Sequence, residues 1–81
     1  MTRVLLFGRL SDQAGWRDRT FDPSPGSLSA LRDLIAAREP DLAGALEGAG
    51  VQAAVDKVLV RGDVALAAGA EVAFLPAMSG G

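Results

Sequence analysis

The sequence predicts an α+β fold, a mixed sheet with one main helix packed across one face. Three observations predict it. Short apolar runs rich in strand formers lie near both ends, at Thr2–Gly8 and Glu71–Leu75. Between them, Leu28, Leu31, Leu34 and Ile35 recur at helical spacing. The 81 residues are enough for one core and no more.

The elements follow in order. Thr2–Gly8 is too short for a helix and is ended by a glycine, so it reads as a strand. Its parity separates Val4 and Leu6 from Leu5 and Phe7. One helix covers only one face of a sheet, so the second set implies cover by another protein. Ser11–Gly15 has turn composition, and Arg17–Phe21 returns as a second strand. The alternating charges after Trp16 (Arg17, Asp18, Arg19) mark an exposed edge. Asp22-Pro23-Ser24-Pro25-Gly26 is the strongest breaker. Ser27 stands where an N-cap belongs, and the helix runs until Pro40 stops it. Glu39, before that proline, is pushed out of the α region.

Leu42 and Leu46 suit a short second helical segment ending near Gly48. Val51–Val55 and Val58–Val60 read as strands turning at Asp56-Lys57, and Arg61-Gly62-Asp63 as another turn. Val64 and Leu66 are modestly apolar, and Ala67–Ala70 is a small-residue connector. Glu71–Leu75 is the last strand, closed by Pro76. The expected core is Val4, Leu6, Leu31, Leu34, Ile35, Val72 and Phe74. The expected organisation is a folded domain at 1–76 and a flexible Gly-Gly tail at 77–81.

Composition excludes several kinds of chemistry. The chain has no Cys, His or Tyr. Disulfides, thiolate nucleophiles, the usual zinc sites and imidazole acid–base catalysis are therefore ruled out. Ten acids against eight bases give a net charge of −2, without the basic stripe of a nucleic-acid binder. The apolar run Val4–Phe7 is shorter than the roughly 7–15 residues of a secretory leader. A cytoplasmic protein with no metal and no bound cofactor is expected. The possible carboxylate pairs, Asp12/Asp18, Glu39/Asp41 and Asp56/Asp63, read as solvated surface charge. The serines lack a histidine to activate them, and no Gly-rich phosphate loop follows a strand.

The C-terminus remains. Met78-Ser79-Gly80-Gly81 ends in two glycines, a pairing that average usage gives to roughly one chain end in two hundred. Glycine is also common at frayed ends. The alternative is chemical. Without a Cβ, the chain can pass through a narrow channel and approach a second protein's backbone. Its terminal carboxylate then becomes a reactive group that needs no side-chain nucleophile.

Read together, these pieces resemble the β-grasp sulfur carriers, and among them the small subunits of molybdopterin synthase (the MoaD type). The most specific likeness is Gly69-Ala70-Glu71-Val72-Ala73-Phe74-Leu75-Pro76-Ala77-Met78-Ser79-Gly80-Gly81. It is similar to the family's Gly-Asp/Glu-Glu-Val-Ala strand running through an aromatic/Pro step into Gly-Gly. Ala53–Val60, Val4–Gly8 and Ala30–Leu34 look like its Ala-Val-Asn strand pair, first strand and helix.

The resemblance implies a ubiquitin-like β-grasp fold and a non-catalytic, sulfur-donating subunit. An E1-like (MoeB-like) enzyme would adenylate Gly81 with ATP, and sulfur would replace AMP to give a thiocarboxylate. The tail, with Gly80, Ser79 and Met78, would enter a pocket of the large subunit (MoaE-like). There it would donate sulfur to a cyclic pterin phosphate, forming the molybdopterin dithiolene within a heterotetramer. The family's partner-facing patch maps onto Phe7, Leu59 and Leu75. The chain departs from the pattern at Asp56 (often Asn), Ala70 (usually an acid), Leu75 (commonly aromatic) and Pro76-Ala77 (frequently Pro-Pro). Gly80 and Gly81 are spared. Thiamine-type sulfur carriers and ubiquitin-like protein modifiers use the same C-terminus and stand as alternatives.

Overall fold

The computed structural model describes residues 1–77. Of the anticipated tail at 77–81, Met78, Ser79, Gly80 and Gly81 lie outside the described residues.

The eight elements are β1 (Thr2–Leu6), α1 (Arg9–Ala14), β2 (Asp18–Phe21), α2 (Leu28–Arg38), α3 (Pro40–Leu46), β3 (Gln52–Val55), β4 (Val58–Val60) and β5 (Glu71–Leu75). The strands form one mixed sheet in the order β2-β1-β5-β3-β4. The first and last strands of the chain pair in parallel at its centre, Val4 beside Val72 and Leu6 beside Phe74. The neighbouring pairs are antiparallel. Because β5 is central, the chain leaves the sheet from its middle.

Helix α2 forms where its start is secured. Ser27 is extended, and its hydroxyl accepts from Ala30 N. The next free donors are met from the loop after β4, with Leu28 N donating to Val64 O and Ser29 N to Asp63 Oδ1. The orphan N–H groups of a helix start are thus satisfied, which fastens that loop to the helix. Leu28, Leu31 and Ile35 bury against the sheet. Glu39 leaves the helical region at φ −140°, and Pro40 opens α3 at a position that lacks no needed donor. Leu42 and Leu46 extend the same core.

The inner face of the sheet is formed by Val4, Leu6, Ala53, Val72 and Phe74, all buried. Leu10, Phe21, Leu66 and Ala70 complete the core.

Three expectations need correction. Ser11–Gly15 is not a turn: Arg9–Ala14 is a helix whose Leu10 is buried. Six residues are too few for periodicity to show, so its single buried leucine passes for loop. Strand β1 ends at Leu6 rather than Gly8. Leu34 packs at the rim of the core rather than inside it, because Leu28, Leu31 and Ile35 occupy the sheet-facing stripe.

Candidate functional site

The face of the sheet turned away from the helices carries a different row of side chains. Register places Leu5 beside Ala73, Ala73 beside Ala54 and Ala54 beside Leu59, across β1, β5, β3 and β4. These residues alternate with the buried inner set, so they point the other way. One step along the strands, Leu75 pairs with Gln52, and Phe7 N donates to Phe74 O at 3.2 Å, which brings Phe7 alongside Leu75. The outcome is a shallow apolar surface. Its floor is the two alanines, and its walls are Leu5, Phe7 and Leu75 on one side and Leu59 on the other. No helix covers it among the described residues.

Phe7 is 45% and Leu59 59% exposed. Leu75 is half-buried. The structure therefore brings the three sequence-predicted patch residues to one face. Leu5, Ala54 and Ala73 join them. Strand parity pointed to Leu5; alanines carry too little hydrophobic signal to mark a floor.

Charge borders this surface at one end. Arg3 donates to Asp18 through Nε at 3.0 Å and Nη2 at 2.6 Å, and reaches Glu71 at 3.5 Å. The two-pronged hydrogen bond from Arg3, together with its positive charge, holds the Asp18 carboxyl below the usual carboxylate range. The same bond raises the Arg3 guanidinium. This cluster is exposed and salt-screened, which suits a polar rim rather than a catalytic pair.

A second polar cluster lies near β2. Trp16 Nε1 donates to Glu39 Oε1 at 3.0 Å, Arg19 pairs with Glu39 at 3.1 Å, and the Arg19 guanidinium lies 4.5 Å from the Trp16 ring centroid. Glu39 is thus half-buried and partnered, which corrects its reading as solvated surface charge. The indole and guanidinium compensate its loss of water. The cluster ties β2 to the α2–α3 junction. Among the described residues, no group of three or more acids is placed to hold a metal ion, and no helix is long and apolar enough to cross a membrane. The remaining predicted site residues, Met78, Ser79, Gly80 and Gly81, fall outside the described residues.

A mixed five-stranded sheet with helices on one face and a central last strand defines a ubiquitin-like β-grasp protein. Its backbone is similar to the crystal structure of SAMP1 from Haloferax volcanii, with TM-score 0.83, 24% identity and coverage of 99% of this chain and 98% of that one. A crystal structure of H. volcanii small archaeal modifier protein 1 gives TM-score 0.81 at 21% identity, covering 95% and 97%. At these identities the likeness concerns the fold.

Sequence gives the family. The ThiS family profile matches residues 4–81. The molybdopterin synthase sulfur carrier subunit of Escherichia coli (strain K12) is 36% identical over 81 residues, covering 100% of both chains. The chain belongs to the ThiS family and is a sulfur carrier of the ThiS/MoaD type.

Proposed function

We propose that this chain is the sulfur-donating, non-catalytic subunit of a molybdopterin synthase. A carboxylate oxygen of Gly81 attacks the α-phosphorus of ATP on an E1-like enzyme, and pyrophosphate leaves. Sulfur at the sulfide level (HS⁻) then attacks the acyl carbon, AMP departs with the bonding pair, and loss of the S–H proton leaves a thiocarboxylate. In the large subunit, that sulfur attacks an electrophilic carbon of a cyclic pterin phosphate. A C–O bond at that carbon breaks, its oxygen leaving with the bonding pair on the phosphate or, once protonated, as water. Water then cleaves the acyl–sulfur bond, returning the Gly81 carboxylate and leaving sulfur on the pterin. Two such deliveries build one dithiolene. The acid–base groups belong to the partner, consistent with a chain that has no His and no Cys.

One observation carries the reading. The uncovered apolar face and the route to the C-terminus share strand β5, whose Leu75 lies on that face and runs directly into Pro76 and Ala77. Docking that face therefore fixes where the chain end begins its path into a partner. The full-length likeness to the E. coli sulfur carrier subunit supports molybdopterin synthase as the assembly; the arrangement we propose for it is two small and two large subunits. Met78, Ser79 and Gly80 pass through the partner's channel; Phe7, Leu59 and Leu75 hold the domain at its mouth.

Deletion of Gly81 tests this. Molybdopterin formation in a reconstituted assay is expected to be abolished, with the circular dichroism spectrum unchanged. Retained activity would reject the carrier role.

A further inference from the structure

The start of the C-terminal segment is held from two sides. Gly8, between β1 and α1, lies so close to Pro76 that a Cβ there would sit 3.0 Å from the ring Cγ. Gly50, between α3 and β3, faces Ala77: a Cβ there would sit 2.8 Å from the Ala77 Cβ and 3.5 Å from its Cα. Pro76 and Ala77 are accordingly half-buried. Both glycines also have positive φ, +55° and +81°. Backbone conformation alone does not explain the contacts. Gly15, Gly62 and Gly69 have comparable φ, yet a Cβ on any of them would meet nothing within 4 Å.

We propose that Gly8 and Gly50 form a seat that fixes Pro76–Ala77 and so sets the direction in which Gly81 is presented to the enzymes that charge and discharge it. The proposal rests on the carrier reading. The two glycines are positioning residues: they shape the path of the chain end and touch no substrate. Pro76 contributes a rigid φ on one side, and the absent side chains of Gly8 and Gly50 let the segment lie against the domain rather than be pushed away from it.

Gly50→Ala and Gly69→Ala form a matched test. The two sites have φ of +81° and +82°, so the backbone strain is alike, and only the first collides with the segment. Gly50→Ala/Ala77→Gly moves the methyl group across the contact and relieves the collision, with Ala77→Gly alone as the fourth arm. The full-length variants are assayed by ATP–pyrophosphate exchange on the adenylating enzyme, alongside Tm and the Ala77 amide shift by NMR.

Since a misplacement of about 1 Å can cost about 100-fold, Gly50→Ala is expected to lower kcat at least about tenfold. KM should change less than kcat, because Gly50→Ala alters no residue of the exposed sheet face, and the Ala77 amide should shift. Gly69→Ala should lower Tm through backbone strain alone, by no more than Gly50→Ala does, and leave kcat and the Ala77 amide unchanged. The double variant should recover most of the lost kcat relative to Ala77→Gly. Equal kcat for the two single variants, or no recovery in the double, overturns the seat. If wild-type protein is not adenylated at all, the carrier reading fails, and the seat with it; that outcome is distinct because the unaltered chain is inert.

Discussion

Truncating Leu59 to alanine separates docking from folding. Leu59 is 59% exposed, on the edge strand β4 and on the helix-free face. Fully burying a leucine is worth about 1.5–3 kcal/mol, so covering the open share in an interface contributes about 1–2 kcal/mol. Its loss should weaken binding to the large subunit by about 5–30-fold. Val58 is the matched control. It is 64% exposed on the same strand, but pairs with Val55, beside Val72, and so belongs to the opposite face. Titration calorimetry against the large subunit should show Leu59→Ala weakened and Val58→Ala close to wild type. Tm should fall little for either, since both side chains are mostly open. Weakening by Val58→Ala with Leu59→Ala neutral would place the partner on the wrong face and refute the reasoning.

Further perturbations address the rest of the fold and site. Phe7→Glu puts an unpaired carboxylate against an apolar partner and should weaken the complex by more than about tenfold, while circular dichroism remains that of a folded domain; loss of folding would move Phe7 into the core. Leu31 is fully buried, and Leu31→Ala should cost about 2–5 kcal/mol, lowering Tm by about 10 °C or more in a calorimetric scan. Asp18 has its pKa depressed in the folded state by the Arg3 hydrogen bond, so its contribution to stability is present above the unfolded pKa and lost as pH falls through the folded one. Asp18→Asn should therefore lower Tm slightly at neutral pH, with the difference from wild type closing in acid; a difference independent of pH would contradict the assignment.

The legible parts of the fold were those where one residue type has one local use. Ser27 caps α2 and Pro40 ends it because extended hydroxyl residues satisfy helix donors and proline cannot supply one. The β3–β4 turn was marked by Asp56-Lys57, which occupy φ of +49° and +71° as a tight hairpin requires. Strand parity foretold that Phe7 would leave the core. Helix α1 was not legible, since a single turn and a half gives one buried leucine, Leu10, and no repeat. The half-buried setting of Glu39 is not legible because its partners, Trp16 and Arg19, are distant in sequence and meet it only through the packing of β2 on the helices. The contacts of Gly8 with Pro76 and of Gly50 with Ala77 were equally invisible, because a glycine needed for closeness and one needed for a turn look the same in a sequence. The apolar face was half legible: Phe7, Leu59 and Leu75 advertise themselves, whereas Ala54 and Ala73 act through smallness.

The most direct measurement is the intact mass of the protein after incubation with ATP, its adenylating enzyme and a sulfur source. The account predicts a species heavier by the difference between sulfur and oxygen, localised by fragmentation to Gly81 and lost on transfer to the pterin acceptor. An unchanged mass, or Gly81 found instead in branched adducts on other proteins, would contradict it.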